Sequence, residues 1–318
     1  MKNLIIIILI ITFLIIIVLG IYLKSNKKQK PEVNLKINNL VPIENIINIF
    51  ESKPILWCYW EGEMPDYIKM CKETIYKHCS KSFDIIVLND KNIHIHLPEL
   101  KEKQLDFSNL KIAQKVDYYR ILLLYKYGGL YLDMDILVQK DLKEIMDKLK
   151  KYDFVGFGCT GARCKYGYGK PSNWLLASRK NTLLMKNILE NYENKLKELN
   201  LNKSSQTGYF DFGKYIIWEE LEKLIKNGYS YYHYPNTVDG TRDINGNWVT
   251  MGRLFSDKYI EYDNPDNLLM VVLYNSDLDD FDKKYRNMSK EELLKTNINF
   301  IRYYNKSKLN EFLCEPFT

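Results

Sequence analysis

Cysteine and histidine are scarce in this sequence, with six and four among 318 residues. Six scattered cysteines do not lay out a disulfide framework. Cys159 and Cys164 are close enough to bridge a loop, whereas Cys58 and Cys71 fall at apolar strand and helix positions and read as core thiols. His94 and His96 stand two apart, as on a strand, but no third ligand lies near them, so they read as a surface segment rather than a zinc site. A basic excess is missing from most of the chain. The formal net charge is +6, but residues 1–36 hold six lysines against one glutamate, leaving 40 basic and 39 acidic residues elsewhere. That balance argues against a nucleic-acid groove. No internal repeat of fixed period is present, and no small-residue cleavage site follows the apolar N-terminus.

A long apolar run is present. Residues 4–23 are almost uninterrupted in Ile and Leu. About twenty residues at ~1.5 Å each span a hydrocarbon core of ~30 Å, which predicts an uncleaved transmembrane helix. Residues 1–3 form a short tail before it, residues 24–49 a polar stalk with Pro31 and Pro42, and residues 50–318 one globular domain. Lys24, Lys27, Lys28 and Lys30 follow the run, which by the positive-inside rule would keep that domain cytoplasmic.

The globular part opens with a strand from Pro54 to Trp60 that is apolar on both faces, as an inner parallel strand is. A helix follows from about Pro65, with Ile68, Cys71 and Ile75 inward, then a strand from Phe83 to Leu88. This order predicts an α/β layer with a parallel sheet, whose ligands bind beyond the carboxyl ends of the strands.

The chain is organised around residues 115–138. Ile112, Val116, Tyr119, Leu123 and Tyr127 recur at helical spacing and predict one buried stripe. Gly128-Gly129 ends the helix in the left-handed conformation. Leu130-Tyr131-Leu132 and Ile136-Leu137-Val138 read as one strand interrupted by Asp133-Met134-Asp135. Alternate strand residues share a face, so the two carboxylates would project together with Cα atoms about 6.5–7 Å apart. Two acids inside an apolar run repel each other and lose solvation, and a divalent cation removes both penalties. Oxygen ligands suit Mn²⁺ or Mg²⁺. On the preceding helix Asp117 and Arg120 are three apart and therefore neighbours, either as an internal ion pair or as a polar patch facing a ligand.

Three blocks carry a family resemblance: PILWCYWEGEMPDYIKMCKETI from Pro54, KVDYYRILLLYKYGGLYLDMD from Lys115, and NWLLASRKNTLL from Asn173. Through them the chain resembles the capsular polysaccharide synthesis protein family and, more broadly, glycosyltransferases with a DXD sugar-binding region. Many capsular-type members carry Asp-Ala-Thr where this chain has Asp133-Met134-Asp135, a departure toward the metal-dependent members. The resemblance implies a GT-A-like (Rossmann-like) mixed sheet flanked by helices. It also implies hexose transfer from a nucleotide diphosphate sugar to a glycan or protein acceptor, with retention. It favours Asp117 and Arg120 as sugar-positioning residues and sets Asn173 beside the donor sugar. Comparison with Golgi-type members would put the domain in a lumen.

On this reading Asp135 holds the metal and Asp133 helps through water or the ribose. Trp57 or Trp60 stacks on the base, with Trp60 preferred because it adjoins the loop beyond the strand. Asp211 is a further candidate at the sugar's reacting face. His233 is a candidate third metal ligand, although a lone His among tyrosines is more often structural. The loop after Cys159 reads as a lip over the substrate, and the late tyrosines and Trp248 as sugar-stacking or packing rings. Asn245-Gly246 signals a tight hairpin. A metal-dependent phosphotransferase or nucleotidyltransferase, and an inactive carbohydrate-binding relative, are the alternatives.

Overall fold

The computed structural model describes residues 53–103, 105–158, 170–201, 212–274 and 283–309. The expected anchor at 4–23, the stalk, Asp211, Cys159 and Cys164 lie outside the described residues. Among those described, no helix is long and apolar enough to cross a membrane.

Strand β1 (Ile55–Tyr59) leads through helix α1 (Asp66–Cys79) to β2 (Asp84–Leu88). Two short helices follow, α2 (Ile93–His96) and α3 (Glu99–Glu102), before the long helix α4 (Ile112–Tyr127). Then come β3 (Gly129–Leu132), β4 (Ile136–Val138), α5 (Lys143–Lys148), β5 (Phe154–Gly158), β6 (Pro171–Ser178), α6 (Leu183–Leu201), α7 (Lys214–Ile225) and β7 (Tyr232–Tyr234). The described chain continues through α8 (Met251–Leu254), β8 (Met270–Val272), α9 (Lys290–Leu294) and α10 (Asn299–Leu309). The segment with His94 and His96 is thus helical, not a strand.

Six strands form one mixed sheet in the order β2-β1-β3-β6-β5-β7. β1 lies parallel to both β2 and β3, as its two-sided apolarity predicts. β6 runs antiparallel to β3 and β5, and β7 is parallel to β5. The carboxyl ends of β1, β2, β3, β5 and β7 therefore share one edge with the start of β6. The two faces of β1 serve two cores. Leu56 and Cys58 pack with α1 residues and with Phe255 and Phe300. Trp57 and Tyr59 pack with α4, α6 and α7 residues.

Two expectations about residues 112–138 change. Helix α4 has no single stripe, because everything from Val116 to Leu124 is buried. Its middle lies between the sheet and apolar residues of α6, while Ile112 and Tyr127 at its ends are exposed. The apolar residues around Asp133-Met134-Asp135 do not form one strand either. β3 belongs to the six-stranded sheet, whereas β4 pairs antiparallel with β8 in a separate two-stranded sheet. The backbone bonds divide accordingly: Asp133 N donates to Trp174 O at 2.8 Å, and Leu273 N donates to Asp135 O at 3.0 Å.

The diglycine is required, though not in the expected left-handed helix-cap form. Gly128 has φ 70° and ψ −161°, a combination that only glycine adopts readily. Gly129 has φ 97°, and a Cβ there would lie 2.4 Å from Ile55 O on the neighbouring strand.

Candidate functional site

The chain changes sheets at Asp133–Asp135, on the edge where the parallel strands end. Both aspartates are half-buried, while Met134 between them is buried. A switch between sheets, not a single strand, carries the pair: Asp133 follows β3 and Asp135 precedes β4.

Arg120 reaches into this place from α4. Its Nη2 lies 3.3 Å from Asp117 Oδ1 and 3.3 Å from Asp133 Oδ1. Nη1 donates to Asn173 O, Nε donates to Val116 O at 3.4 Å, and the guanidinium lies 4.6 Å from the Tyr131 ring centroid. Asn173 Nδ2 in turn donates to Asp117 Oδ1 at 2.7 Å. Asp117 and Arg120 side chains are each 6% exposed, against 29% for Asp133. The expectation that Arg120 offers its cation to a ligand is therefore corrected. Its donors are directed into the protein, and it acts by fixing Asp133, Asp117 and Asn173 relative to one another.

The electrostatics favour a cation. Burial pushes the Asp133 carboxyl up to about 7; Arg120 opposes this, and Asp135 and Asp117 add to it. Burial also raises Asp117, against the pull of Arg120 and the Asn173 amide. Asp117 and Asp133 thus share Arg120, and Asp135 adds a further negative charge beside Asp133. Oxygen donors with excess negative charge suit a hard divalent ion, for which Asp135 and the outer side of Asp133 would be the candidate ligands. The described residues hold no cluster of three His, Cys, Asp or Glu side chains suited to a metal. The rest of a coordination shell would fall to phosphate oxygens and water.

His233 does not join this pair. It sits on β7, separated from β3 by β6 and β5. Three strand spacings of about 4.8 Å put it roughly 14 Å away. Burial lowers its pKa and leaves Nε2 without a hydrogen-bond partner among the described residues.

Trp57 is also corrected. It is 0% exposed, donates from Nε1 to Gly128 O at 3.1 Å, and packs against Tyr127 and His96. The α4 side of β1 is closed, so Trp57 has no face for a base. Trp60, on the opposite face at the strand's end, is half-buried. Its backbone N donates to Leu88 O at 3.0 Å, which holds it at the site edge.

Two features of the site escaped the sequence reading. Tyr59 OH donates to Asp90 Oδ1 at 2.5 Å and to Glu61 Oε2 at 3.1 Å, making an acidic pair just past β1 and β2. The adjacent parallel strands were the available signal. Gly213 packs so closely that a Cβ would lie 2.7 Å from Asp117 Oδ2 and 2.8 Å from Asn173 Nδ2.

Several solved structures are similar to this chain. The glycosyltransferase PaToxG has 17% identity and a TM-score of 0.38, covering 58% of this chain and 79% of its own. The apo structure of the bifunctional glycosyltransferase WbbM has 12% identity and a TM-score of 0.41, with 82% of this chain matched to half of that one. The catalytic domain of alpha-toxin from Clostridium novyi has 12% identity and a TM-score of 0.32, covering 58% of this chain and 65% of its own. No curated protein matches the sequence. The family match is the broad one: residues 21–235 fit the capsular polysaccharide synthesis protein profile, and the chain belongs to that family.

Proposed function

We propose that the protein is a metal-dependent glycosyltransferase of the GT-A type. It moves a hexose from a nucleotide diphosphate sugar to a glycan or protein acceptor, with retention of anomeric configuration. The observation that carries this reading is the Asp133–Asp135 pair at the carboxyl edge of a mixed sheet, fixed by the Arg120–Asp117–Asn173 network, in a chain of this family.

The difficult step is departure of a diphosphate from the anomeric carbon. A divalent ion, Mn²⁺ or Mg²⁺, would neutralise the charge that develops on that leaving group. Asp135 is the principal ligand, because Arg120 already shares the Asp133 carboxylate. Asn173 orients the sugar hydroxyls, and the buried Asp117 positions it, since their mutual 2.7 Å bond sets the direction of the amide. Trp60 provides the ring for the base at the end of β1. The apolar run at 4–23 serves as the membrane anchor.

The test is a screen of nucleotide diphosphate hexoses against the detergent-purified full-length chain, with and without Mn²⁺. Release of sugar and nucleoside diphosphate only when metal is present supports the reading. Metal-independent turnover, or nucleotide cleavage that leaves the sugar phosphate intact, rejects it.

A further inference from the structure

One edge of the sheet carries the aspartates, and the opposite edge carries lysines. Several chain segments converge there. Lys53 Nζ donates to Ser80 O at 2.9 Å, which joins the approach to β1 to the end of α1. Ser82 Oγ bonds Asp141 Oδ2, and Lys143 N donates to Asp141 Oδ1 at 2.9 Å, which brings in the turn between β4 and α5. Ser307 Oγ donates to Val138 O at 2.9 Å, and Lys77 Nζ donates to Ser307 O at 3.0 Å, which brings in the end of α10.

These segments hold Lys53, Lys77, Lys81, Lys140, Lys143 and Lys308. All but Lys77 are exposed, and those exposed have no carboxylate at ion-pair distance among the described residues. The acids in the same segments are Asp84 and Asp141, and Asp141 is engaged by the two bonds above. Of the acids nearby, Glu144 accepts from Tyr234 OH at 3.0 Å, while Asp147 and Asp266 pair with Lys150 and Lys306 at 2.6 and 2.8 Å. A globular part that is balanced as a whole, 40 basic against 39 acidic residues, thus concentrates positive charge at this edge.

Helix ends account for only part of the excess. Lys53, Lys77 and Lys308 lie at the carboxyl ends of α1 and α10, where a cation offsets the helix dipole. Lys140 follows β4 and serves no helix end, and Lys143 opens α5, the end at which a cation is disfavoured. The patch is also remote from the aspartates. Helix α1, 14 residues long, runs from the loop after β1 to this edge, a distance of about 20 Å.

We infer that this lysine edge rests on the anionic headgroups of a lipid bilayer, with the Asp133–Asp135 edge turned away from it. Ammonium groups on flexible stems suit diffuse attraction to a charged surface, which needs their charge and not a shaped pocket or a free N–H. The described domain begins at Lys53, on this edge, and the apolar run at 4–23 precedes it in the chain. The chain that would enter a bilayer therefore leads to the lysines and not to the aspartates. Docking this way leaves the donor site open to a soluble nucleotide sugar. The assignment rests on the anchor reading above and adds a surface to it.

The test is lysine acetylation, mapped by mass spectrometry, on the full-length chain in nanodiscs of phosphatidylcholine alone or with about one third phosphatidylglycerol. In the anionic discs at about 0.05 M salt, Lys53, Lys81, Lys140 and Lys143 should label severalfold more slowly than in the neutral discs, and about 0.5 M salt should remove the difference. Lys91, just past β2 at the other edge, and Lys223 on α7 should label equally in both. Lys81→Gln, Lys140→Gln and Lys143→Gln combined should return Lys53 in anionic discs to its neutral-disc rate, with thermal unfolding to check the fold. Equal labelling of the four lysines in the two lipids, or a difference that salt does not remove, overturns the assignment and leaves the anchor standing. If the chain enters neither disc, the anchor reading falls and co-sedimentation with phosphatidylglycerol vesicles decides the patch alone. Co-sedimentation that the triple variant loses then supports the patch, and none by the unaltered chain overturns it.

Discussion

Arg120 binds Asp133 from beneath, with Nη2 3.3 Å from Oδ1, while 29% of the Asp133 side chain stays open to solvent. One carboxylate thus faces both the protein's interior and solvent. Arg120→Gln would leave Asp117 and Asp133 without their shared cation. Breaking a buried pair in this way costs about 3–5 kcal/mol. Lys103–Glu193 is a suitable control, because Lys103 is 45% exposed and such a pair contributes under about 1 kcal/mol. Urea unfolding should show a large loss for Arg120→Gln and a negligible one for Lys103→Gln. Similar midpoints for the two variants would remove Arg120 from its bracing role.

Asp135 should behave in the opposite way, with a large effect on turnover and a small one on stability. A neutral amide is a poor ligand for a hard divalent cation. Asp135→Asn should therefore fold normally and lose Mn²⁺-stimulated donor turnover. Activity close to the unaltered protein at saturating Mn²⁺ would contradict the assignment.

The sequence makes legible whatever is encoded locally. The β1-α1-β2 unit follows from apolar alternation and helical spacing, and the end of α4 follows from Gly128-Gly129. The sheet switch at Asp133–Asp135 is not legible, because its cause is pairing with Leu273, far along the chain. Period-two alternation divides Trp57 from Trp60, but it does not say which face a helix covers. Asp117 and Arg120 were visible as neighbours; their burial depends on α6 and on Asn173 of β6, which no spacing rule reports. His233 shows the reverse problem, since its residue type suggested a ligand while the strand order keeps it away. Lys53, Lys81 and Lys140 meet only through the tertiary fold.

Gly129 gives a clean test of the strand geometry that carries the aspartates. Its φ of 97° disfavours any L side chain, and a Cβ would meet Ile55 O at 2.4 Å. Gly228 also has positive φ, at 83°, but a Cβ there meets nothing within 4 Å. Gly228→Ala should cost about 1 kcal/mol, from backbone strain alone. Gly129→Ala should cost clearly more, because β1 and β3 must move apart as well. Equal unfolding midpoints for the two variants would show that the close approach is not important to the fold.

Asp239 should leave a mark on the pH dependence of stability. Thr241 N and Oγ1 bond its Oδ1, while Oδ2 has no hydrogen-bond partner among the described residues. Burial raises its pKa to about 7, with the Thr241 bonds and Arg242 opposing the shift. Tyr262 and Tyr274 also face it. An unfolded aspartate titrates near ~3.9. Between those values the folded chain keeps a proton that the unfolded chain has lost, so stability from this group falls as pH rises from about 4 to about 7. Above that window the cost of the buried charge is constant. Asn in its place can accept both Thr241 bonds and cannot ionise. Asp239→Asn should therefore be less stable relative to the unaltered protein at pH 5 than at pH 8, by a difference on the order of 2 kcal/mol. Asp133 titrates in the same direction, so only the difference between the two proteins isolates Asp239. Urea unfolding of both at pH 5 and pH 8 makes the measurement. A difference in stability that does not change with pH would mean that Asp239 is already ionised at pH 5, with its second oxygen satisfied.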